Sequence, residues 1–72
     1  MNERREKRKR WVQRGEYAVE VEVEVYYPDD DPSEPCLEPS TIQWLEEVAR
    51  HAEQGDVEFL RRAGRVFQAV AR

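Results

Sequence analysis

One cysteine and one histidine are all that 72 residues offer of the two commonest catalytic and metal-binding side chains. Cys36 alone cannot close an intramolecular disulfide, so the fold has no disulfide framework, and a reducing, cytoplasmic setting is expected. Cys36 with His51 would make a nucleophile pair only if folding brought both beside an orienting group, and nothing in their spacing requires it. Two such ligands also fall short of the roughly four that zinc takes. The three glycines, Gly15, Gly55 and Gly64, are scattered and build no phosphate-binding loop. No apolar run nears the ~20 residues of a membrane span. The basic start runs into Trp11-Val12-Gln13-Arg14 instead of an apolar stretch, so no secretory signal is expected. No catalytic, cofactor or metal residue is nominated, and the chain is expected to be non-enzymatic.

What is abundant is charge, 39% of residues, and it is segregated. Residues 1–14 hold seven bases (Arg4, Arg5, Lys7, Arg8, Lys9, Arg10, Arg14) against Glu3 and Glu6, a balance of +5. Residues 15–58 hold fourteen acids against Arg50, and residues 59–72 add four arginines, which returns the net charge of −4. Opposite blocks in one short chain either neutralise each other or face different partners.

Residues 16–27 alternate with period two. Tyr17, Val19, Val21, Val23, Val25 and Tyr27 share one face, and Glu16, Ala18, Glu20, Glu22, Glu24 and Tyr26 share the other. Valine and tyrosine favour strands, and Pro28 ends the run. Glutamates spaced about 7 Å apart along one face need compensation. A hairpin over 9–27 turning at Arg14-Gly15 supplies it, setting Lys9 against Glu20, Lys7 against Glu22 and Arg5 against Glu24. The same register pairs Val12 with Tyr17 and leaves Arg8 and Arg10 beside valines. Residues 1–8 are expected to fray as a basic tail.

Residues 28–39 form an acidic loop with four prolines. Residues 40–54 read as a helix, with Ser40 and Gln43 in a capping box, an apolar stripe of Ile42, Leu45, Val48, Ala49 and Ala52 flanked by Trp44, and Gly55 closing it. Asp56 caps a second helix over 57–71. Gly64 offers an alternative, a short helix followed by a returning strand over 65–70; the polar stripe of Arg61, Arg65, Gln68 and Arg72 favours one continuous helix. The expected architecture is one α+β domain over 9–72, a β-hairpin packed on a helical hairpin in the order β-β-α-α. A two-stranded sheet is thin, so the open edge of the valine strand invites a second copy, and a strand-mediated homodimer is expected.

Two functional expectations follow. The first is a protein-interaction module, antitoxin-like or an accessory subunit, that presents Glu20, Glu22, Glu24, Tyr26, Asp29, Asp30, Asp31, Glu34 and Leu37 to a basic protein partner: charge steers the encounter and apolar side chains anchor it. The second is a nucleic-acid-binding dimer using the arm Arg4, Arg5, Lys7, Arg8, Lys9, Arg10 and Trp11, where cations displace phosphate counterions and an aromatic stacks on a base. Neither expectation involves a membrane.

Overall fold

The computed structural model describes residues 4–28 and 33–69. In chain order these form β1 (Arg4–Arg14), β2 (Tyr17–Tyr27), α1 (Pro39–Gln54), α2 (Val57–Ala63) and β3 (Arg65–Gln68). The strands make one antiparallel sheet in the order β1-β2-β3, packed against the two helices, an α+β domain. No helix among the described residues is long and apolar enough to cross a membrane.

The alternation in β2 sets the layers. Val19, Val21, Val23 and Val25 are all buried on one face, where they meet Val48 and Ala52 of α1, Leu60 of α2 and Val12 of β1. Tyr17, Tyr27, Leu37, Trp44, Leu45, Phe59 and Val66 close the margins of this core. Period two turns the glutamates outward.

The hairpin turns one residue later than the sequence suggests, at Gly15-Glu16. Gly15 sits at φ +59° and, among the described residues, no residue other than glycine takes a positive φ, the pattern of a type II′ turn with glycine first. Each β1 residue therefore sits two places further along β2: Lys9 opposes Glu22, Lys7 Glu24, Arg5 Tyr26, and Val12 opposes Val19. A shift of two keeps every side chain on its expected face. It also places Val12 beside a buried valine instead of beside Tyr17.

Three further expectations are corrected. β1 reaches back to Arg4, so residues 4–8 are strand and not frayed tail. The ladder to β2 runs through them, and exposed ion pairs accompany it: Arg5 bridges Glu24 and Glu38, each at 3.2 Å, and Glu6 lies between Arg4 and Arg8. α1 begins at Pro39, with Glu38 as an extended N-cap residue making no side-chain cap, so Ser40 lies inside the first turn. Proline at the first position loses no intrahelical hydrogen bond there. The closure at Gly55 is as expected, left-handed at φ 72°.

The largest correction concerns the second helix, expected over 57–71. It ends at Ala63, and residues 65–68 return as β3 beside β2. Gly64 is the cause. A Cβ at that position would lie 2.1 Å from the carbonyl oxygen of Glu20, so only glycine lets the chain pass this close to β2. β3 then pairs with residues 17–20, which makes β2 a central strand there and not the edge expected to receive a second copy.

Candidate binding surface

The outer face of the sheet carries most of the nominated residues. β1 contributes Arg5, Lys7, Lys9 and Trp11; β2 contributes Glu20, Glu22, Glu24 and Tyr26; β3 adds Arg65 and Phe67, which oppose Glu20 and Ala18. Trp11 and Phe67 flank β2 from its two neighbouring strands, their ring centroids 5.3 Å apart and tilted by 51°. Both stay open to solvent, Trp11 at 57% and Phe67 at 43%. Arg65 lies over the Phe67 ring at 5.5 Å. A basic residue beside two neighbouring rings is a surface suited to planar groups.

The carboxylates of β2 are largely answered from within. Glu24 receives Arg5 at 3.2 Å, and Glu20 faces Arg65 at 3.6 Å. Glu22 opposes Lys9 in register, but no ion pair is closed there, and among the described residues of this face Glu22, Lys7 and Lys9 stay unpaired. The outer face thus has cations and one carboxylate to offer, together with its two rings.

Tyr26 and Leu37 do not serve as free anchors. Tyr26 is half-buried, lies beneath Arg5 at 5.4 Å, and exchanges backbone hydrogen bonds with Cys36 at 3.0 and 2.7 Å. Leu37 packs on the core. Glu34 is exposed in the loop, whereas Asp29, Asp30 and Asp31 lie outside the described residues.

On the inner face, Arg8 donates to the Tyr27 hydroxyl at 3.1 Å, and Arg4 lies over the same ring at 4.3 Å. That hydrogen bond, with the charge of Glu6, holds the Arg8 guanidinium even more firmly protonated than usual. Beyond these residues an open hollow of about 540 Å³ separates β1 from α1, floored by Val12, Leu45 and Ala49 and rimmed by Arg10, Arg14, Glu46 and Glu53. Its rim carries both signs and selects no ligand class.

His51 and Cys36 are occupied separately. The His51 ring stacks on Phe59 at 3.7 Å, with Nδ1 3.0 Å from Asp56 and Nε2 3.5 Å from Glu47. The Cys36 thiol points to the Glu34 carbonyl at 3.9 Å. No three His, Cys, Asp or Glu side chains among the described residues gather as metal ligands would.

Arg65 and Phe67 are not among the residues the sequence nominates, because the polar stripe that includes Arg65 favours a continuous helix there. The signal was the glycine before them, which allowed a strand to begin at Arg65. No known family, curated protein or solved structure matches this chain.

Proposed function

We propose that this chain is a small, non-enzymatic module that binds single-stranded nucleic acid across the outer face of its sheet. The observation that carries the reading is the exposed pair of rings, Trp11 and Phe67, standing beside the unpaired Lys7 and Lys9. Base stacking on an aromatic contributes about 1–3 kcal/mol per base and tolerates any sequence. The lysines add phosphate attraction, which releases counterions. The net charge of −4 does not oppose this locally, because Glu20 and Glu24 are spent on Arg65 and Arg5.

The test is a titration with a short oligothymidylate, followed by tryptophan fluorescence in a Trp44→Phe background so that Trp11 alone reports. Quenching is expected at low salt. With two lysine contacts, log K should fall against log salt with a slope of about −1.4. Read through the anisotropy of a dye-labelled oligothymidylate, Trp11→Ala and Phe67→Ala should each weaken binding about 5- to 160-fold, the equivalent of one stacked base. Binding that survives both substitutions unchanged, or no binding at low salt, overturns the reading.

A second reading keeps the acidic surface for a basic protein, in an antitoxin-like or accessory role. Glu22 favours it, a carboxylate with no cation within ion-pair distance among the described residues.

A further inference from the structure

The side of β2 away from β1 is only partly covered. β3 pairs with it over residues 17–20, and Cys36 pairs with it at Tyr26. Among the described residues no strand lies opposite Glu22, Val23 and Glu24 on that side. The direction of the backbone there follows from its neighbours. Tyr26 exchanges both its backbone hydrogen bonds with Cys36, and the Glu16 carbonyl accepts from Ala69, so the even-numbered residues of β2 aim their peptide groups away from β1. By the alternation of an antiparallel ladder, the N–H and C=O of Glu22 and Glu24 point into the gap.

The gap has walls. One hollow of about 300 Å³ is lined by Glu22, Val23, Glu24, Ser40, Thr41 and Trp44. A second, of about 260 Å³, lies between Glu20–Glu22 and the Ala63–Arg65 corner, with Lys9 also on its wall, so the basic residues of an added strand are placed toward Glu22 and the first hollow. Trp44 packs on the core and gives the first hollow an apolar floor, while Glu22 and Glu24 stand exposed on the outer side.

We infer that this open stretch of β2 receives an extended basic segment of another protein as an added antiparallel strand. Main-chain hydrogen bonds give such an addition its affinity, and alternate side chains give it specificity. Residues opposite Glu22 and Glu24 turn outward; the one opposite Glu22 meets an unpaired carboxylate and is basic, and the one opposite Glu24 joins a carboxylate that already holds Arg5. The residue between them turns inward onto Trp44 and is apolar. A second copy of this chain does not fit: pairing β2 with β2 here would set glutamates against glutamates, and like charges directly opposite are destabilising. Nucleic acid lacks the row of amide donors that the gap would pair with. This inference concerns the edge of β2 and does not rest on nucleic-acid binding at Trp11 and Phe67.

The test uses the full chain and a synthetic peptide, acetyl-Lys-Val-Lys-Val-Lys-amide. In the added strand the lysine amides face β2 and the valine amides face solvent. N-methylation of the lysine amides should weaken binding about tenfold or more, while N-methylation of the valine amides leaves it nearly unchanged. Bound peptide should slow hydrogen exchange at the Glu22 and Glu24 amides. Glu22→Gln should lower affinity a few-fold without moving the thermal midpoint. The inference is overturned by any of three results: no binding, equal loss from both methylation patterns, or protection that appears along β1 while Glu22 and Glu24 stay unprotected.

Discussion

β1 and β2 are equal in length, eleven residues each, and lie in full register, yet one is the hub of the core and the other its rim. β2 turns four buried valines inward; β1 turns Arg4, Glu6, Arg8, Arg10 and Arg14 to the same side and buries Val12 alone. Both alternate, so alternation does not decide which strand is covered. The inward residues decide it, since apolar area removed from water is the dominant favourable term. β1 is ordered because its hairpin delivers it to β2 and because its cations meet the carboxylates around it. Its charge also guards an edge that would otherwise template pairing with other chains.

The sharpest way to break this contrast is to exchange the roles of two neighbours. Val21 and Arg10 stand opposite each other. Val21→Lys places an ammonium in a position that is 1% exposed, where an unpaired charge costs several kcal/mol. In a domain this small that loss prevents folding, and far-UV circular dichroism should register an unfolded chain. Arg10→Ala should leave the urea midpoint unchanged. Equal damage from both would mean that β1 contributes to the core as β2 does.

A smaller loss is expected at the point where β3 joins. Gly64→Val drives a side chain against the Glu20 carbonyl, and relief by backbone movement costs about 1–3 kcal/mol. The effect should be local. β3 separates first, so the tilted contact between Trp11 and Phe67 is lost and tryptophan emission changes at denaturant concentrations where helical signal persists. Simultaneous loss of both signals would show that β3 and the hairpin form one cooperative unit.

β2 was legible because one strong pattern, valine against glutamate, admits a single period, and the helix after the acidic loop was legible because its stripe and its closing glycine agree. The position of the turn is not legible to the residue, because Gly15 satisfies a two-residue turn from either position and either register preserves the faces. Residues 65–68 are ambiguous in the sequence because four residues are too few to separate strand from helix by periodicity, and the close approach that selects Gly64 is a tertiary fact. For the same reason the candidate surface was only half visible. Trp11 could be named with the basic arm, but its partner Phe67 joins it only after β3 crosses to the far side of β2.

The smallest expected effect lies away from both strands and separates local from long-range electrostatics. The exposed pairs along β1, such as Arg5 with Glu24, are weak and screened by salt. Asp56, at the head of α2, answers to its own neighbours. Its carboxylate accepts a hydrogen bond from the His51 ring at 3.0 Å and another from the Phe59 backbone N–H at 3.3 Å, and these hold its pKa below the ordinary 3.8. A carboxyl with a lower pKa folded than unfolded stabilises the fold above the unfolded value, and that contribution disappears as pH falls through the folded one. Asparagine also serves well as an N-cap, so Asp56→Asn removes the charge while sparing the cap. The variant should therefore melt at a lower temperature than the parent at neutral pH, with the difference shrinking once the pH drops below about 3.8. Raising the salt concentration should reduce the contribution of Arg5 and leave the hydrogen-bonded part of this difference in place. A difference that stays constant from neutral to acid pH would mean that Asp56 acts through shape alone, and the contrast between a local cap and a distributed rim of charge would fail.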